Sequence, residues 1–95
     1  MYFEFEYDEN KSRQNSVRHG ISLEDAIQLW RQSHVVIPAK KVDGELRWAL
    51  IGMIGATYYV AIYTERGDRI RIISCHRADR KLERIYERKT NEKTD

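Results

Sequence analysis

Residues 2–7, YFEFEY, alternate without a break. Tyr2, Glu4 and Glu6 fall on one side and Phe3, Phe5 and Tyr7 on the other, which predicts a half-buried strand. The period then changes. Asp8 is placed to cap a polar helix that ends at His19-Gly20, where glycine suits a positive φ just past the last turn. Ser22 opens a second helix, with Asp25 three residues on and Leu23, Ala26, Ile27 and Trp30 along one face. Residues 33–47 read as a connector with some extended character, punctuated by Pro38 and Asp43-Gly44. Three strands follow in close succession: RWALIGM, then TYYVAIYTE after a turn near Gly55, then RIRIISC after a turn at Arg66-Gly67. The final segment, Ala78 to about Lys89, sets Ala78, Leu82, Ile85 and Lys89 on a helical stripe. The order β-α-α-β-β-β-α segregates strands from helices and predicts an α+β fold, with helices packed on an antiparallel sheet. We expect one domain over residues 1–95, with about 90–95 as a disordered tail.

A two-residue turn at Arg66-Gly67 sets Tyr63 opposite Ile70, Ala61 opposite Ile72 and Tyr59 opposite Ser74. Arg69 and Arg71 then share a face with Ile73, opposite Val60, Ile62 and Thr64. Any other turn length changes these partners but leaves Arg69 and Arg71 side by side on their strand.

Composition narrows the class. The 41% hydrophobic and 34% charged residues describe a folded chain rather than a disordered one, and 95 residues suffice for one modest core. The net charge is only +2, but it is unevenly spread: between Arg66 and Arg84, six Arg and one Lys stand against two Asp and one Glu. A local basic face suits a polyanion or an acidic protein partner. The single cysteine, Cys75, excludes an intrachain disulfide and agrees with a cytoplasmic location. No apolar run is long enough to span a bilayer, and no His/Cys cluster has zinc spacing. We therefore expect no membrane association, metal or cofactor.

Two separated stretches, EYDENK…N…RHGISLEDA and YTERGDRIRIISCHRAD…Y, resemble BrnT toxins of bacterial type II toxin–antitoxin pairs. The matching positions include Asp8, Lys11, Asn15, His19, Gly20, Ser22, Glu45, Arg47, Arg66, Arg71, Arg77 and Tyr86. The resemblance implies a RelE-like fold and a metal-independent ribonuclease that inhibits translation. It also implies a cognate antitoxin, BrnA, in an assembly such as a heterotetramer that binds DNA through the antitoxin. Tyr7 stands where the family usually has Trp, Arg18 where it has Lys, and Cys75-His76 where it has Ala-Arg. The Glu83-Arg84 pair is shifted by one position.

Metal-free RNA cleavage needs a group to take the ribose 2′-proton, a proton donor for the leaving 5′-oxygen, and cations for the charge that builds between them. Arginine suits the last task because its planar fork meets two phosphate oxygens and keeps its charge. The candidate catalytic residues are Arg71, His76, Arg77 and Tyr86, with Tyr86 also placed to pack one turn beyond Leu82. Lys11, Arg47, Arg66, Arg69 and Arg80 are candidate RNA or phosphate contacts. Lys11, Asn15 and His19, spaced i, i+4, i+8, either line the site or tie the first helix to the sheet. Arg71 and the neighbouring Arg77 and Arg80 should make His76 harder to protonate. The alternative function is a catalytically weakened module whose basic face docks an acidic antitoxin or regulator.

Overall fold

The structure is a computed structural model and describes residues 4–92. It contains β1 (Glu4–Glu6), α1 (Glu9–His19), α2 (Leu23–Ala26) with a 3-10 turn over Ile27–Arg31, β2 (His34–Pro38), β3 (Trp48–Ile54), β4 (Thr57–Arg66), β5 (Arg69–Arg77) and α3 (Arg80–Glu92). The expected α+β class holds. Tyr2 and Phe3 of the first predicted strand lie outside the described residues, as do residues 93–95 of the expected tail; α3 runs through residues 90–92.

The caps form as their side chains dictate. Asp8 accepts the Lys11 amide at 3.0 Å, Ser22 accepts the Asp25 amide at 3.0 Å, and Gly20 at φ +76° returns its N–H to Ser16. Asp79, just before α3, accepts the Leu82 amide at 2.9 Å and moves that helix start two residues past the predicted Ala78.

The sheet has the order β1-β5-β4-β3-β2. β1 runs parallel to β5, and the other pairs are antiparallel. β2 is a correction: His34–Pro38 lies within the stretch read as a connector, yet it pairs along β3 from His34↔Gly52 to Pro38↔Trp48. Its short apolar run is consistent with a sheet edge, where Pro38 is tolerated. Gly52 lies within β3, where a Cβ would meet Leu29 Cδ2 at 3.3 Å.

The hairpin register is corrected too. Arg66 pairs with Arg69, so the turn is Gly67-Asp68, because the first central position takes the positive φ (Gly67, +62°). Tyr63 then faces Ile72. A bulge follows, leaving Ile73 unpaired before Ile62↔Ser74 and Val60↔His76. That extra residue sets which side chains share the face of Arg71: Ser74 and His76 do, while Cys75 and Arg77 fall on the opposite face.

The sheet therefore has two unlike sides. On one, Leu50, Ala61, Tyr63, Ile70, Ile72 and Cys75 are buried under Ile21, Leu23, Ala26 and Leu29, with Phe5 and Trp30 closing the border. On the other, Ala49, Ile51 and Val60 are buried beneath Leu82, Ile85 and Tyr86 of α3. α3 covers only part of this second side, and beyond Ile62 the side chains turn polar.

Candidate nucleic-acid interface

Local chemistry builds the open part of that second side in three steps. First, Val42 and Glu45 exchange backbone hydrogen bonds of 3.1 and 2.8 Å around Asp43 (φ +49°) and Gly44 (φ +78°). Two successive positive φ values close a tight hairpin tip, the geometry an Asp-Gly pair favours. Second, Ala39 N–H donates to Arg47 C=O at 2.9 Å, and Thr64 Oγ1 donates to Leu46 C=O at 2.7 Å. These bonds fix the hairpin to β4. Third, Arg66 and Arg71 extend from the facing ends of β4 and β5, and the Asp8 cap places Lys11 at the start of α1.

The result is a cavity of about 230 Å³ lined by Lys11, Glu45, Arg47, Thr64, Arg66, Arg71 and Ile73. Four cations thus converge on one concavity, with a single carboxylate among its lining groups. Arg47 and Arg71 are partly enclosed, at 26% and 31% side-chain exposure, while Arg66 is open at 57%. Glu45 Oε1 accepts Arg47 Nε–H at 3.1 Å. Glu6 stands on β1 beside the arginines, 3.7 Å from Arg71, 3.7 Å from Arg69 and 4.0 Å from Arg66. Arg69 also meets Glu4 at 3.2 Å, so two carboxylates hold it outside the cavity lining.

A second cavity, about 210 Å³, adjoins the first through Lys11 and Ile73 and is lined further by Gln14, Asn15, Arg18, His19 and Ser74. Asn15 lines this cavity and also ties α1 to the sheet. Its amide donates to Cys75 C=O at 2.6 Å and Ile21 C=O at 2.8 Å, and its Oδ1 accepts Cys75 N–H at 3.2 Å. β1 pairs with β5 only as far as Arg71. Asn15 therefore satisfies the β5 edge where that strand pairing stops, and being buried it cannot be spared cheaply.

His19 lines this second cavity, and its ring lies 5.7 Å from that of His76, tilted by 45°. His76 is held below its ordinary value, first by partial burial and then by His19, with Asp79 opposing. The direction matches expectation, but the neighbours responsible are not the arginines. Near neutral pH His76 is thus mainly a neutral hydrogen-bonding ring. Burial pushes the Cys75 thiol up to about 12, which suits packing rather than nucleophilic chemistry.

The structure does not bring all the predicted site residues together. Lys11, Arg47, Arg66 and Arg71 meet in one cavity. His76 lies five residues farther along β5 from Arg71, about 16 Å at strand spacing. Arg77 is on the other face of the strand, paired with Tyr59. Arg80 is exposed at the start of α3. Tyr86 packs edge-on against Tyr58 at 5.7 Å and donates to Ser33 C=O at 3.4 Å, under α3 near β2 and the opposite end of β4 from Arg71. Glu45 was not among the predicted site residues. Its signal was present: it follows an Asp-Gly turn and alternates with Arg47.

Fold and site together define a small α+β domain that gathers guanidinium and ammonium groups over the uncovered end of one sheet face. The family model described as the ribonuclease toxin, BrnT, of type II toxin–antitoxin systems matches residues 7–81, and the chain belongs to that family. The match ends before Leu82, so Tyr86 lies outside it. No curated protein matches the chain. Among the described residues, no helix is long and apolar enough to cross a membrane.

Proposed function

We propose that the chain cuts RNA without a metal ion, with the scissile phosphate seated in the Arg71 cavity. The observation that carries this reading is the convergence of Lys11, Arg47, Arg66 and Arg71 on one partly enclosed concavity. Four fixed cations can balance the charge of a phosphorane-like transition state, and partial enclosure strengthens each of them. The adjoining cavity takes the neighbouring nucleotide, with the His19 ring in its lining. Arg77 and Arg80 act farther out, on the path of the strand, and Tyr86 serves packing.

In the bacterial cytoplasm this activity inhibits translation, and a BrnA antitoxin silences it by covering the basic concavity. Charge complementarity makes that concavity the natural target of an acidic partner segment. The test is incubation of the purified chain with total RNA in EDTA. Cleavage supports the enzyme. Intact RNA together with tight antitoxin binding supports a docking module instead, in which His76 has replaced a catalytically needed arginine.

A further inference from the structure

We propose that Glu45 is the general base of the cleavage step, removing the 2′-proton of the ribose whose phosphate occupies the Arg71 cavity. This inference rests on the reading of that cavity as the scissile-phosphate site. It adds a catalytic group that neither the family match nor the basic patch specifies.

Position is the first argument. Glu45 is the one carboxylate among the residues lining the cavity, which otherwise offers cations, Thr64 and Ile73. Thr64 has already given its hydroxyl proton to Leu46 C=O. A carboxylate is ordinarily ionised near neutral pH and ready to accept a proton. The Arg47 contact uses Oε1, and among the described residues no hydrogen bond or ion pair uses Oε2. One oxygen is therefore held, while the other makes no hydrogen bond among the described residues.

Competition is the second argument. Glu6 also approaches Arg71, but it stands outside the cavity lining and is shared among Arg66, Arg69 and Arg71. That arrangement orients guanidinium groups. Neither imidazole lines the Arg71 cavity: His19 lies in the second cavity, with the His76 ring 5.7 Å from it. Among the described residues, Glu45 alone combines a basic oxygen with the enclosure around Arg71.

Rigidity is the third. The side chain springs from the closed hairpin tip at Asp43-Gly44, with both backbone bonds to Val42 made, and its neighbour Arg47 is tied to Ala39. A base must be held within hydrogen-bond reach of the proton it takes.

The step balances without a co-reactant. Glu45 takes the 2′-proton as O2′ attacks phosphorus. The new P–O2′ bond forms while the P–O5′ bond breaks. Water protonates the departing 5′-oxygen, and Glu45 later returns its proton to water. The products are a 2′,3′-cyclic phosphate and a 5′-hydroxyl.

The test uses the full chain and a labelled single-stranded RNA of about twenty nucleotides in EDTA, with affinity and single-turnover rate measured separately. Glu45→Gln should cut at least a hundredfold more slowly, within the range a positioned base supplies. It should bind RNA as tightly as wild type or tighter, because a negative charge has left a cationic cavity. Formate should partly restore cleavage to Glu45→Ala and leave wild type unaffected. A thermal midpoint close to that of wild type checks that each variant is folded. If Glu45 only positions Arg47, affinity and rate fall together and formate restores nothing; that result overturns the proposal, as does a Glu45→Gln rate within threefold of wild type. A wild-type protein that binds this RNA but leaves it intact overturns the ribonuclease reading itself, and the inference with it.

Discussion

The two ends of one sheet face behave as different materials. At one end Ile51 and Val60 lie under α3, fully enclosed beside Leu82, Ile85 and Tyr86. At the other, the same two strands continue into Arg47, Thr64 and Arg66, and no helix covers them. Alternation along β3 and β4 keeps all these side chains on one side, so the backbone does not distinguish the ends. The side chains do, at the step from Ala49 and Ile62 to Arg47 and Thr64. An apolar stretch recruits the amphipathic α3 and becomes core. A cationic stretch cannot be covered by an apolar helix without desolvating its charges, so it stays open. An arginine and a tyrosine on the same face can therefore have unrelated duties.

Substitutions should separate the two ends. The largest effect belongs to the covered end. Ile51→Ala removes a fully buried side chain and should cost about 2–5 kcal/mol in urea unfolding, with cleavage per folded molecule retained. Cleavage lost at wild-type stability would show that the covered end takes part in chemistry.

The boundary between strand pairing and the open end comes next. Asn15→Ala strips partners from the Cys75 N–H and C=O and from Ile21 C=O. A buried polar group left unpaired costs about 1–3 kcal/mol. The denaturation midpoint should drop clearly, and RNA affinity of the folded fraction should change less than threefold. A stable Asn15→Ala protein that no longer binds RNA would move Asn15 into the site.

The smallest effect is a pH dependence at His76. His76 titrates below its ordinary 6.5 in the folded protein because partial burial and His19 oppose its charge. The unfolded chain takes up that proton more readily, so this group lowers stability as pH falls below about 6.5, with its full effect reached below the folded value. Between pH 7.5 and 5, wild type should lose more stability than His76→Gln does. Equal slopes for the two proteins would place His76 in a more solvated setting than described here.

How far the sequence foretells this molecule depends on range. The caps are local and all were readable: Asp8 and Ser22 are each decided by one side chain and the amide three residues on, and Gly20 by its positive φ. So was the meander, because turn glycines separate its strands. Register was not. Moving the turn by one residue to Gly67-Asp68 changes the cross-strand partners, and the bulge at Ile73 exchanges Arg77 for His76 on the cationic face. The first leaves no mark in the hydrophobic pattern, and the second leaves only the Ile72-Ile73 pair, where the alternation breaks. β2 was hidden because five residues ending in proline give a weak strand signal, and only pairing along β3 fixes them. Tyr86 shows the limit of resemblance: read as a matching position, it lies beyond the family match, and from α3 its ring packs edge-on against Tyr58. Glu45 shows the reverse. It was overlooked among arginines because a cavity built from a hairpin tip, two strand ends and a helix start is assembled only in three dimensions.

The most direct measurement sets one residue from each end side by side. Single-turnover RNA cleavage in EDTA should be followed for wild type, Arg71→Ala and Tyr86→Phe, with thermal unfolding of each. Arg71 contributes a charge-assisted contact, about 1.5–3 kcal/mol, so Arg71→Ala should cut at least tenfold more slowly. Its thermal midpoint should barely move, since its partly exposed pair with Glu6 adds little stability. Tyr86→Phe loses one hydroxyl contact of 3.4 Å and keeps its ring against Tyr58, so it should cut within twofold of wild type. The opposite pattern, with Arg71→Ala fully active and Tyr86→Phe folded but inert, would place the chemistry beneath α3 and contradict the division of the sheet described here.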